Sequence, residues 1–193
     1  MKMKNRFTFL VISIIIIIAY IVRVVHINSD NISPDIITYK LGDEVPIEDD
    51  YFNSSDEKMN GYTIKVLDTE IISMEKFQTE HSSFISDLQA ENIFIVKVLV
   101  RNVDNTLESN AGINFGHYLI QEGSYINMLN RDAYPFVNKF NSLSFSLRCD
   151  SEMEFILPFN IDSQYIDVEK LKSGEPTLVV SLYPHKKVIE LND

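Results

Sequence analysis

An all-β sandwich with one short helix, carried behind a single N-terminal membrane-spanning helix, is the architecture this sequence predicts. Three observations predict it. Residues 7–22 form sixteen consecutive uncharged, mostly apolar positions, followed by Arg23, Val24 and Val25. From Tyr62 onward, apolar and polar side chains alternate with a period of two in several short segments, as they do in half-buried strands. Turn-forming residues separate those segments, with no repeated alternation of strand and helix between them.

The N-terminal element comes first. A helix rises about 1.5 Å per residue, so a hydrocarbon core of about 30 Å takes about 20 residues to cross. Residues 7–25 number nineteen and span it if the Arg23 guanidinium snorkels to the headgroups. Lys2, Lys4 and Arg6 precede the span and should stay in the cytoplasm, which places the C-terminal part outside the plasma membrane. The rival is a cleaved secretory signal. Against it, the apolar run exceeds the usual core, and the bulky or charged Val22, Arg23, Val24, Val25 and His26 offer no small-x-small cleavage site.

The expected organisation is a cytoplasmic N-terminus over residues 1–6, a signal-anchor over 7–25, a stalk over 26–36 and a sandwich over 37–193. Polar residues and Pro34 mark the stalk. Beyond residue 27 the chain holds 13 basic and 28 acidic residues, a net charge of −15. Such a surface repels nucleic acid and anionic headgroups and suits a cationic partner. Cys149 is the only cysteine, so the domain of about 155 residues must rest on its apolar core rather than on a disulfide. Its place in a strand-like segment predicts a buried thiol.

Within the sandwich, residues 39–45 read as a lead-in strand and residues 49–60 as an acidic surface loop. Tyr62, Ile64 and Val66 alternate with polar neighbours, and Phe94, Val96, Val98 and Val100 form one apolar face. Leu143, Phe145 and Leu147 follow the same rule, as do Met153, Phe155, Leu157, Phe159 and Ile161. Leu178, Val180 and Leu182 come next, and a last short strand falls near residues 187–191. Met74, Phe77, His81, Phe84 or Ile85, and Leu88 recur instead at spacings of three and four. That stripe predicts a short helix capping one end of the sandwich.

The search for chemistry returns no catalytic, cofactor-binding or metal-binding motif. His26, His81, His117 and His185 are scattered without metal-ligand spacing, and His117 is read as a surface residue on a strand. The acidic clusters match no calcium loop, and the serines sit in no GxSxG or SxxK motif. Large aromatics in expected loops stand out instead. Tyr134, Phe136 and Phe140 fall in one such loop, the candidate partner-binding surface.

Residues 39–43 (YKLGD), Tyr51 with Phe52, 61–66 (GYTIKV), 92–102 (NIFIVKVLVRN), 121–123 (QEG) and 153–159 (MEFILPF) together form a recognisable wording. It resembles the small immunoglobulin-like domains of membrane-anchored proteins and lipoproteins on Gram-positive surfaces, most known only as domains of unknown function. The resemblance covers residues 38–191 and implies an immunoglobulin-like sandwich with no catalytic residues to carry over. This chain departs from the lipoproteins in having a protein span as its anchor. The expected role is therefore non-enzymatic: a membrane-anchored accessory or binding protein of the cell envelope with a protein or peptide partner. The alternatives are an immunity or sensor protein that intercepts an extracellular cationic peptide, and an envelope enzyme with an unrecognised site.

Overall fold

A computed structural model describes residues 2–29, 34–81, 90–106 and 112–192. The chain divides into two compact units, Met1–Ser33 and Pro34–Asp193.

The first unit is helix α1 (Lys2–Ser29), 28 residues long and therefore about 42 Å along its axis. It continues past His26, where the stalk was expected to begin. Pro34, the first residue able to block an α-helix, lies beyond that point. Its described side chains, residues 12–26, are all exposed, isoleucines included. Among the described residues no helix is long and apolar enough to cross a membrane; the side chains of residues 2–11 and 27–29 lie outside the description.

The second unit is mostly β-sheet with a few short helices. Its strands are β1 (Asp35–Tyr39), β2 (Glu44–Pro46), β3 (Tyr62–Ser73), β4 (Asn92–Asn102), β5 (Ile113–Asn114), β6 (Leu119–Glu122), β7 (Tyr125–Met128), β8 (Ser144–Phe145), β9 (Ser151–Ile161), β10 (Thr177–Val179) and β11 (His185–Glu190). Helices α2 (Met74–Glu80), α3 (Tyr134–Val137) and α4 (Val168–Ser173) interrupt them. One sheet has the order β1-β11-β10-β6-β7, another β2-β3-β4-β9, and β5 pairs with β8. The β1–β11 pairing is parallel and the other pairings are antiparallel.

The core lies between the two large sheets and follows the period-two alternation. Tyr62, Ile64 and Val66 are buried, as are Phe94, Val96, Val98 and Val100 on β4 and Phe155, Leu157, Phe159 and Ile161 on β9. Ile120, Leu178, Val180 and Ile189 meet them from the five-stranded sheet's side. A bulge at Leu67 shifts the β3 register between Val66 and Asp68.

Phe115 anchors an aromatic knot. Its ring centroid lies 5.2 Å from Tyr118, 6.2 Å from Tyr134, 5.2 Å from Phe145 and 5.0 Å from Phe155. The expected strand over 143–148 shrinks to β8, because its partner β5 is only two residues long; within it Phe145 pairs with Ile113 and stacks on Phe155 at 4.4 Å.

The helical stripe yields α2, capped by the Ser73 hydroxyl, which accepts from the Lys76 N–H. Phe84, Ile85 and Leu88 of that stripe lie outside the described residues. Met74 and Phe77 pack with Ile72, Ile93 and Ala133 in a second, smaller core. Ile93 faces opposite to Phe94, so this core covers the outer face of the four-stranded sheet.

Candidate functional site

The open side of the sandwich, where edge strands β7 and β9 lie, is built by the chain that follows β7. Leu129 N–H donates to the Tyr118 carbonyl, and Asn130 N–H donates to the Pro158 carbonyl on β9. The Asn130 side chain caps the next turn, accepting from the N–H groups of Asp132 and Ala133 and donating 2.6 Å to Asn160 Oδ1. Farther on, the Asn138 amide imitates a strand: its Nδ2 donates to the Ile156 carbonyl at 2.7 Å, and its Oδ1 accepts from the Ile156 N–H at 2.9 Å. The two asparagines and Pro158 thereby close the β9 edge from Ile156 to Asn160, where unpaired backbone would otherwise invite another chain.

The three candidate aromatics separate here. Tyr134 is fully buried and belongs to the Phe115 knot, while Phe136 is 38 % and Phe140 50 % exposed. What read as a loop contains helix α3, started by Pro135 in its first turn. This geometry turns Tyr134 inward and leaves Phe136 and Phe140 outside. Phe140 lines a groove of about 550 Å³ with Val137, Lys139, Met153 and Glu154. Glu154 forms an ion pair of 2.7 Å with Lys97 beside it.

A second groove, of about 520 Å³, lies beside β7 and includes Tyr125, Asn127, Asn160, Asp162 and Tyr165. Asn127 Nδ2 and the Tyr125 hydroxyl both donate to the Asn160 carbonyl. Burial holds the Tyr125 hydroxyl above its ordinary pKa; the nearby Asp162 carboxylate adds to this and the Asn127 hydrogen bond opposes it. Asp162 Oδ1 accepts from the Gln164 N–H, and Tyr165 is 75 % exposed. The β6–β7 hairpin that frames this groove turns at Gly123, whose φ of 55° suits glycine. Only its turn was visible in the sequence, because four-residue strands carry too little alternation to register.

Two titratable clusters correct further expectations. Asp50, assigned to a surface loop, is buried at 2 % exposure, and Lys187 on β11 is fully buried. Lys187 Nζ lies 2.8 Å from Asp50 Oδ2 and 2.6 Å from Glu48 Oε2, and it donates to the Pro46 and Ile47 carbonyls. His185 donates its backbone N–H to Asp50 Oδ1, and its ring Nδ1 lies 3.0 Å from that same oxygen. The inward alternation of Lys187 with Ile189 and Leu191 was the available signal; nothing local to residues 49–60 marked Asp50. His117 sits in a 3-10 turn (Phe115–His117), not a strand, because Asn114 caps that turn through the Gly116 N–H. Its ring is 3.8 Å from Glu57. Cys149 is exposed, not buried; it falls in the turn before β9 and its thiol donates to the Val103 carbonyl. Among the described residues, no group of three or more His, Cys, Asp or Glu is placed to hold a metal ion.

Burial lowers the Lys187 pKa, but Asp50 and Glu48 outweigh it and the net shift is upward. Tyr134 is pushed up to about 12 by burial, and Tyr118 is raised by burial and by Glu57. All three groups are raised in the folded chain, so their contribution is complete below the unfolded values of 10 for tyrosine and 10.5 for lysine. It is lost as pH rises through the folded values. Urea midpoints should therefore hold steady between pH 8 and about 9.5 and fall steadily above about pH 10. A flat profile to pH 12 would contradict this.

A family model described as a domain of unknown function, DUF5028, matches residues 36–187. No curated protein and no solved structure matches the chain.

Proposed function

We propose, from the premise that this chain belongs to the DUF5028 family of domains of unknown function, that it is a membrane-anchored, non-enzymatic binding domain of the cell envelope. One observation carries the binding role: Phe140, half exposed, lines a groove, and Phe136 is exposed on the same segment, where displayed aromatics mark contact surfaces. The anchor reading draws on the basic residues before an apolar run. It places the domain outside the plasma membrane, with the N-terminus in the cytoplasm. The immunoglobulin-like reading draws on strand order. β3, β4 and β9 share one sheet, β11, β10, β6 and β7 the other, and the chain crosses between them from β4 to β6 and from β9 to β10. The non-enzymatic reading draws on the histidines: His117 and His185 each face a carboxylate, and among the described residues neither ring bonds a hydroxyl or thiol.

A photoreactive residue at position 140, activated in intact cells, should give a discrete crosslinked product that the same residue at Lys172 on α4 does not. Phe140→Ser should abolish partner binding while costing no more than the roughly 0.5 kcal/mol of folding stability typical of surface changes. No specific product, or a large loss of thermal stability, would count against the reading.

A further inference from the structure

We infer that the open edge of β7 takes up an extended basic peptide segment as an added strand, with a lysine or arginine of that segment seated against Asp162 between Tyr125 and Tyr165. The inference rests on the binding reading above and names the partner class for the second groove.

The backbone supplies the first argument. Leu129 N–H donates to the Tyr118 carbonyl, and the β6–β7 register pairs Ile120 with Asn127 and Glu122 with Tyr125. Antiparallel pairs alternate between bonded and non-bonded, so Leu119 with Met128 and Gln121 with Ile126 are the non-bonded pairs. Ile126 and Met128 therefore turn their N–H and C=O groups away from β6, to a side where no described residue pairs with them. These groups, two residues apart, match the repeat of one further antiparallel strand. The other edges of the two large sheets are shorter, charged or capped: β2 is three residues long and includes Pro46, β9 is sealed by Asn130 and Asn138, and β1 follows Pro34 and begins with the charge of Asp35. β7 carries no charge and no proline, the usual devices that protect an edge.

The side chains supply the second. An added strand points its residues alternately to the two faces of the sheet. One set would lie beside Ile126 and Met128, which are 57 % and 53 % exposed, and these suit apolar neighbours. The other set would enter the groove. Among its described lining residues Asp162 is the only charged one, and Asp162 Oδ2 has no partner among the described residues. A carboxylate in a groove that two tyrosines also line selects a cation, through charge and through the ring faces. The net charge of −15 beyond residue 27 attracts the same partner and repels an acidic one.

The test uses the full chain in nonionic detergent and a fluorescent, blocked heptapeptide of alternating lysine and valine. The controls are the same peptide with glutamate for lysine, and the lysine peptide N-methylated at alternate residues. The lysine peptide should bind about tenfold or more tighter than either control, and its affinity should fall with salt. Ile126→Pro removes the outward N–H together with the exposed isoleucine side chain and should abolish binding, whereas Ile126→Val keeps the N–H and should bind nearly as well. Asp162→Asn keeps the turn cap and should weaken binding several-fold while flattening the salt dependence. If Ile126→Pro fails to fold, the methylated peptide still decides, since it needs no variant. Equal binding of methylated and unmethylated peptides, or of the glutamate and lysine peptides, overturns the inference. That result with crosslinking at position 140 intact leaves the broader reading standing; loss of both removes it.

Discussion

Lys187→Met is expected to destabilise the domain by about 3–5 kcal/mol, the range for removing one partner of a buried ion pair. Nζ is fully enclosed, and its partner Asp50 is 2 % exposed, so water cannot replace the lost cation. The substitution strands the Asp50 carboxylate and leaves the Pro46 and Ile47 carbonyls without the Nζ donor. Pairing Lys187→Met with Asp50→Leu should cost clearly less than the sum of the two single changes, because the double variant buries no lone charge. Urea denaturation at pH 7 followed by tyrosine fluorescence measures all three, since the chain has nine tyrosines and no tryptophan. A cost below 1 kcal/mol for Lys187→Met would mean that the pair is solvated and that Asp50 is not buried in solution.

Phe115→Ala should cost about 3–5 kcal/mol, as large-to-small changes in a packed core do. Phe115 sits in a short 3-10 turn and meets rings from three further segments: Tyr134 on α3, Phe145 on β8 and Phe155 on β9. Removing the ring opens a void that residues tied to different sheets cannot collapse to fill. Phe115→Leu keeps most of the volume and should lose a smaller part of that stability. Melting temperatures of the pair, read against the near-neutral Phe140→Ser, separate core aromatics from displayed ones. If Phe115→Ala and Phe140→Ser fell alike, the aromatic knot would not be the core.

The long strands were legible because each repeats its alternation three to five times, three in β3 before the bulge at Leu67, four in β4 and five in β9. Val96, Val98 and Val100, and Phe155, Leu157 and Phe159, face inward as that period requires. The β6–β7 hairpin was not, since strands of four residues offer two inward positions each, too few to distinguish from chance. The candidate site was legible in part. Its loop could be located, but Tyr134, Phe136 and Phe140 look alike in sequence; α3 turns Tyr134 inward and Phe136 outward, and Phe140 follows three residues beyond the helix. The asparagines that close β9 carry no signal in sequence, because Asn138 reaches Ile156 across eighteen residues.

The amino-acid sequence by itself determined the apolar N-terminal stretch, the acidic composition, the reliance on a core without disulfides and the inward face of β4, of β9 and of β3 up to its bulge. These are local or additive properties, set by composition and by a repeat of two. Tertiary structure alone decided which polar groups are buried together and which edges stay open. Asp50 and Lys187 lie 137 positions apart in the chain, and only the packing of the loop before β3 against β11 makes one the counter-ion of the other. Likewise, among the described residues, the β7 edge is unpaired and the β9 edge closed, because the chain leaving β7 crosses to β9 and places its asparagines there.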